Sequence, residues 1–216
     1  MTGPTHGSRS GLESPAVEEM GQSFNIEKEG VVYMMDCDDF VDYLCGVVFG
    51  DGDLLYDKRR GYRIRITDSS VNYLEMLRQF LSNCFSVRSR IYRHKKHLAY
   101  QLVIWRKDVY QLVSEKTPRL LAKPTCAFVA GIIDAEGGVN KTKHGLYRLY
   151  ITNKDKRAID AVARIFNEIG VRYYLSYDNR RYRLYIHGID RVKTVLKYLP
   201  VIHPKIRDKF TSFLAP

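Results

Sequence analysis

Cysteine is scarce in this 216-residue chain: Cys37, Cys45, Cys84 and Cys126 stand far apart, with no CxxC pair among them. That spacing argues against a structural zinc and against a disulfide framework. The four are expected to be reduced thiols, behaving as small apolar side chains of an intracellular protein. No apolar run approaches the roughly 18 residues of a membrane span. The N-terminus lacks the apolar segment of a signal peptide, so neither membrane insertion nor export is expected. Residues 1–22 are rich in Gly, Ser, Pro, Thr and Glu without periodic apolar residues, and read as a disordered leader outside the fold. Acidic residues are also in deficit, 24 Asp+Glu against 35 Lys+Arg, for a formal charge of +11. Such a surplus calls for a polyanionic partner.

What is present is a nine-residue phrase used twice, Leu44 to Gly52 and Val129 to Gly137, each ending in an acid and a glycine. Glu136 lies 85 positions after Asp51, and the same offset carries Tyr62 onto Tyr147, Arg63 onto Arg148, Ile66 onto Ile151 and Thr67 onto Thr152. The chain is therefore a duplication, with halves expected at 38–119 and 120–216, each near the usual domain size.

The pattern along each half is the same. Asp38 or Asp39 can N-cap a helix with Phe40, Tyr43, Leu44, Val47 and Val48 on one face, running into Gly50. Leu54 to Tyr56 and Tyr62 to Thr67 flank a turn, and the alternation of Arg63, Ile64, Arg65 and Ile66 specifies a strand. A helix is expected over Asp68 to Cys84, then a hairpin from Val87 to Tyr92 and Leu98 to Trp105, then a short helix over Asp108 to Glu115. The second half repeats this with a motif helix from Thr125 to Ala135, strands at Val139 to Thr142 and Leu146 to Thr152, and a helix over Asp155 to Ile169. Strands at Val171 to Tyr177 and Arg181 to His187 follow, about a turn at Asp178 and Asn179. Beyond them the correspondence runs at an offset three residues shorter, aligning Pro118 with Pro200 and Lys123 with Lys205. The expected fold is α+β: two pseudo-symmetric αββαββα halves, each with a four-stranded antiparallel sheet.

Gly46 and Gly131, with Cys45, Gly50, Ala130 and Ala135, are what two helices need to bring their backbones together. Packing alone explains the small residues but not the acids. If the helices meet by these faces, Asp51 and Glu136 end side by side, and like charges repel unless a cation lies between them. Carboxylate oxygens completed by water and phosphate suit magnesium better than zinc.

These two phrases resemble the LAGLIDADG motif of homing endonucleases, in the single-chain form with two copies, and the resemblance extends from about Asp38 to Phe213. It implies that the motif helices, from which the sixth-place acid is missing at Phe49 but kept at Asp134, form the interface between halves. It implies that Asp51 and Glu136, with the preceding Gly50 and Ala135, make up the metal site, with magnesium as cofactor and manganese able to substitute. It further implies double-stranded DNA as substrate, a long asymmetric target, hydrolysis of phosphodiester bonds in both strands, and a monomer.

Further site residues follow from the same resemblance. Lys123 and Lys205, each five residues after a matched proline, are expected near the scissile phosphates. The polar place ending the second strand of each half holds Asp68 and Asn153, so the two sites are expected to be unequal; Lys154 follows Asn153 where Ser69 follows Asp68. His203 is a candidate proton carrier, although a histidine between Ile202 and Pro204 is more often structural. A non-catalytic binder on the same scaffold, an RNA maturase or a transcription factor, is the rival, and retention of both acids favours the enzyme. The chain shows neither a nucleophile-first splicing block nor a terminal His-Asn pair, which argues against an intein.

The sheet faces turned away from the helices must be polar. In the first half they are expected to carry Tyr62, Arg63 and Arg65 with Lys58, Arg59 and Arg60 at the turn, then Arg88, Arg90, Tyr92, Arg93, His94, Lys95, Lys96, Tyr100 and Gln101. In the second half they carry Lys141, Lys143, His144, Tyr147, Arg148, Arg172, Tyr174, Arg180, Arg181, Arg183 and Tyr185. Arg and Gln read base edges, whereas turn lysines hold phosphates.

Overall fold

The computed structural model describes residues 24–28, 31–94 and 98–213; the leader at 1–22 and the turn lysines Lys95 and Lys96 lie outside the described residues. The chain opens with an antiparallel hairpin of β1 (Phe24–Lys28) and β2 (Val31–Met35), for which the repeat has no counterpart. α1 (Cys37–Asp51) then starts at Asp36, whose carboxylate accepts from the Asp39 amide at 2.8 Å. The cap thus falls slightly before Asp38 and Asp39, which occupy the first turn, where their charge suits the positive helix end.

β3 (Gly52–Asp57) and β4 (Gly61–Asp68) form a hairpin, followed by α2 (Val71–Phe85), β5 (Ser89–Arg93), β6 (Tyr100–Ile104) and α3 (Lys107–Ala122). The second half runs α4 (Cys126–Glu136), β7 (Gly137–Lys141), β8 (Tyr147–Asn153), α5 (Lys156–Glu168), β9 (Tyr174–Asp178), β10 (Arg181–His187), α6 (Ile189–Tyr198) and α7 (Pro204–Ser212). The sheets have matching strand orders, β3-β4-β6-β5 and β7-β8-β10-β9, all antiparallel. Two pseudo-symmetric α+β halves are therefore what the duplicated sequence builds.

Period-two burial decides which face of each sheet meets the helices. Ile64, Ile66, Leu102 and Ile104 are fully buried in the first half, as are Leu149, Ile151, Leu184 and Ile186 in the second. Each such aliphatic side chain contributes about 1.5–3 kcal/mol. Strand parity also corrects the face expected for the tyrosines. Tyr62, two residues before Ile64, turns toward the helices and lies 5.0 Å from the Tyr110 ring of α3. Tyr147 packs 4.9 Å from Phe213, and Tyr100 packs against the core. Lys141 shares the Tyr147 side, its ammonium 5.4 Å from that ring. Arg93 pairs opposite Tyr100, with the same parity.

α1 and α4 pack through their glycines. A Cβ on Gly46 would collide with the Phe128 carbonyl and lie 2.9 Å from Ile132 N; one on Gly131 would collide with the Tyr43 carbonyl and lie 2.9 Å from Val47 N. The helix backbones are thus in direct contact, and Asp51 and Glu136 end these two helices side by side.

Two further features depart from the sequence reading. Cys37 and Cys84 are joined as a disulfide, Cα atoms 5.4 Å apart, tying the start of α1 to the end of α2; Cys45 and Cys126 are free. A separation of 47 residues carries no local sign of pairing; only the packing of α2 on α1 brings them into bridging range. Closing such a loop restricts the unfolded chain, so reduction is expected to lower stability by about 2–4 kcal/mol. Denaturant titration with and without reductant measures this, and the Cys37→Ala protein should be insensitive to reductant.

The second departure is α3, which continues past Glu115 through Pro118 to Ala122. The bond that Pro118 cannot donate would go to Ser114, which lies on the exposed side of the helix rather than in the core. In the second half the matched Pro200 instead follows the end of α6, and residues 199–203 link it to α7, the Val201 amide bonding back to the Leu199 carbonyl at 2.8 Å.

Candidate active site at the paired helix ends

The acids sit where α1 and α4 end against each other. Gly50 lies so near α4 that an added Cβ would strike the Ala135 Cβ and come within 3.1 Å of Glu136 Cγ. Asp51 is exposed to solvent and Glu136 half-buried. Partial desolvation, opposed by Lys205 and reinforced by Asp68, raises the Asp51 carboxyl to about 6. Desolvation and then repulsion from Asp51 raise Glu136 to about 7, with Arg181 and Lys205 opposing. Two carboxylates are therefore held together against their own repulsion.

The groups around them differ between halves. Asn153 Nδ2 donates to Glu136 Oε1 at 3.0 Å, while Asn153 Oδ1 accepts from the Asp155 amide at 2.7 Å. Asn153 thus orients Glu136. Asp68, the matched residue, accepts from the Ser70 amide at 2.6 Å and contacts His203 Nε2 of the other half at 2.9 Å. Burial, the largest single influence, would raise its carboxyl, but the His203 hydrogen bond and charge, the Ser70 amide and Lys205 together outweigh it and keep Asp68 below the ordinary carboxylate range.

The two matched lysines part company. Lys205 Nζ donates to the Ala135 carbonyl at 2.8 Å, beside both acids. Lys123 is the exposed C-cap of α3, its amide bonded to Arg119 O, and it does not figure among the charges that act on either acid. The difference traces to the sixth motif place. Asp134 is fully buried, and its Oδ2 accepts from Tyr43 OH at 2.6 Å, Ile202 N at 2.8 Å and His203 N at 3.1 Å. It pins the link that delivers α7 and Lys205, whereas Phe49 gives the first half no such anchor. Asp134 was legible only as a leftover acid; an acid in an apolar helix demands donors, but which donors is a tertiary matter.

The solvent side of the second sheet forms a basin of about 480 Å³ that includes Glu136, Arg148, Tyr150, Arg181 and Arg183. Arg148 is fixed by Asn140 Oδ1 at 3.1 Å and by the Tyr185 ring at 4.9 Å. Arg183 pairs with Asp178 at 3.0 Å. Arg180 lies in the tight turn beside Asn179, both with positive φ, while Lys143, Lys154 and Arg172 are exposed. In the first half, Arg65 pairs with Asp53 at 2.5 Å, Gln101 reaches Thr67 Oγ1 at 3.4 Å, and Arg63 shares their face. Arg90 of β5 and Arg88 just before it are exposed, and the Arg59 and Arg60 amides are held by Asp57 at the turn.

Two half-domains joined through glycine-bearing helices, with one acid from each at the shared end, define a duplicated LAGLIDADG protein. Residues 123–200 match the model of a LAGLIDADG-like domain and residues 40–109 that of a WhiA LAGLIDADG-like domain. Over 167 residues the chain is 34% identical to homing endonuclease I-DmoI of Desulfurococcus mucosus, spanning 71% of this chain and 84% of that protein. The crystal structure of I-DmoI in complex with DNA and Mn matches with a TM-score of 0.60 and 32% identity, over 76% of this chain and 98% of that one. The N-terminal LAGLIDADG domain of WhiA matches with a TM-score of 0.57 at 15% identity, over 77% and 84% of the two chains, a likeness of fold alone. The chain belongs to the LAGLIDADG homing endonuclease family.

Proposed function

We propose that the chain is a site-specific DNA endonuclease that acts as a monomer and hydrolyses a phosphodiester bond in each strand of a long asymmetric duplex site, using a divalent cation held by Asp51 and Glu136. The observation that carries this reading is the acid pair itself, crowded at the end of two helices in backbone contact, both raised by desolvation, with Asp68 raising Asp51 and Asp51 raising Glu136. Such a pair is stabilised by a cation.

The donor set fits a hard ion. Among the described residues no three His, Cys, Asp or Glu side chains form a closed cage. Two carboxylates that leave room for water and phosphate oxygens suit magnesium, with manganese as a substitute. Gly50 and Ala135 sit beside them, although one lone pair of the Ala135 carbonyl is taken by Lys205. The ion would supply Lewis acidity and a more acidic bound water. The protein's own groups do the rest. Asn153 keeps Glu136 aimed, Lys205 places positive charge where the scissile phosphate would lie, and the basin arginines hold the duplex beside Glu136. Lys123, away from the acids, would serve as a phosphate contact. Basic side chains at this many positions make binding salt-dependent.

Cleavage selection on a random duplex library with magnesium tests the reading; protein that binds a duplex yet never cuts with magnesium or manganese overturns it. The acids also predict a pH dependence. Both are raised in the folded state above their ordinary 3.8 and 4.5. Their stabilising contribution is therefore complete when they are protonated, and is lost as the pH rises through about 6 and 7. A cation needs the ionised forms, so its binding strengthens over the same window. Melting curves are expected to show a larger upward shift on adding magnesium at about pH 8 than at about pH 5. A shift equal at both, or kept by the Asp51→Asn, Glu136→Gln double variant, would contradict the assigned ligands.

A further inference from the structure

We propose that His203 is a positioning residue that, braced by Asp68 of the opposite half, sets the Lys205 ammonium against the acid-bearing end of α4. The inference rests on the cleavage reading above and assigns the residue that delivers its cationic group.

His203 is 1% exposed and fixed on every side. Its Nδ1 accepts from the Lys205 amide at 3.0 Å, which caps α7 and leaves the ring proton on Nε2. That nitrogen faces Asp68 Oδ2 at 2.9 Å. The ring stacks on Tyr73, centroids 4.2 Å apart and planes 27° apart, and Tyr73 OH meets Tyr43 OH at 2.8 Å. Tyr43 donates to Asp134 Oδ2, the atom that also accepts from the His203 amide, so the contacts close into a buried ring drawn from α1, α2, α4 and the link before α7, with Asp68 of β4 attached at His203.

A helix cap alone does not require this residue. Serine, aspartate or asparagine caps equally well and needs one acceptor only. What imidazole adds is a second nitrogen on the far edge of the ring, and here that nitrogen crosses the pseudo-symmetric interface. Asp68 makes the same point from the other side: its counterpart Asn153 holds the acid of its own half, whereas Asp68 commits one oxygen to Ser70 and the other to His203. The place matched to His203 in the first half is Leu121, buried and apolar, and the lysine two residues beyond it, Lys123, is exposed. Brace and delivered lysine occur together in one half and are absent together in the other.

The test uses the full chain, a duplex recovered by the selection above, and magnesium. His203→Asn retains a capping oxygen but cannot span to Asp68. Its single-turnover cleavage rate at saturating duplex is expected to fall by about 10- to 100-fold, with duplex affinity unchanged. If His203 works through Lys205, the His203→Asn, Lys205→Met double variant cuts no more slowly than Lys205→Met alone. A wild-type rate in His203→Asn, or losses that multiply in the double variant, overturns the proposal. Ring nitrogen NMR of the wild-type protein without DNA gives a readout independent of both cleavage and variant folding. An Nε2-protonated ring is expected, and a proton on Nδ1 overturns the brace even if no duplex is ever cut.

Discussion

Asp51→Asn and Glu136→Gln are each expected to lower magnesium-dependent cleavage by about a thousandfold or more, while duplex binding persists or tightens. Each change keeps the side-chain shape and removes one negative charge. The loss of rate follows from the loss of a hard anionic ligand; the retention of binding follows from where the acids stand. They lie at the end of the helix interface, whereas the arginines of the sheets are the proposed duplex contacts, and removing a negative charge near phosphates favours association. Each variant removes a carboxyl that desolvation raises, and Asp51→Asn also removes the charge that raises Glu136, so neither should melt below the wild type in the absence of metal. Binding by gel shift and cleavage by strand-labelled product formation separate the two effects. Parallel loss of both would mean that the acids support the fold or the duplex contact instead. The two variants are not equivalent: Asn153 braces Glu136 directly, so Asn153→Ala should reproduce part of the Glu136→Gln loss.

The second large effect concerns stability. Gly46→Val and Gly131→Val are each expected to destabilise by about 3 kcal/mol or more, a large share of the roughly 5–15 kcal/mol that holds a typical domain folded. A Cβ at either position meets backbone atoms of the opposing helix, and backbone cannot swing aside as a side chain can. Relief requires α1 and α4 to separate, which would open the core continuous across both halves and part Asp51 from Glu136. Even alanine should be costly at both sites. Denaturant midpoints report the loss directly; a Gly46→Val protein as stable as the wild type would show that the helices do not approach by this face.

Legibility of the site varied with how local its cause is. Asp51, Glu136 and the glycines stand out because a duplicated chain repeats them at one spacing, and helix ends place them without further information. The tyrosines were harder. Tyr62 and Arg63 are neighbours in sequence, yet strand parity sends one to α3 and the other to the solvent face, so residue type alone could not assign them to a common surface. The short helix expected over Asp108 to Glu115 runs on through Pro118 because the turn it disturbs, around Ser114, is exposed rather than packed. The Cys37–Cys84 bridge had no signal at all, since its partners meet only when α2 packs on α1.

The sequence by itself determined that this protein is a duplication, that each half alternates helices and paired strands, and that one acid from each half ends a helix built for close packing. These are consequences of periodicity and spacing, which a chain carries along its length. Asp68 against Asn153 and Phe49 against Asp134 already marked the halves as unequal, but only the tertiary structure decided how that inequality is built. Asp134 collects the amides of Ile202 and His203, His203 reaches across to Asp68, and Lys205 arrives beside the acids while Lys123 stays at the surface. Hydrogen bonds between residues 68 or more positions apart leave no periodic trace, so a repeat that looks symmetric in sequence can be completed by its fold on one side alone.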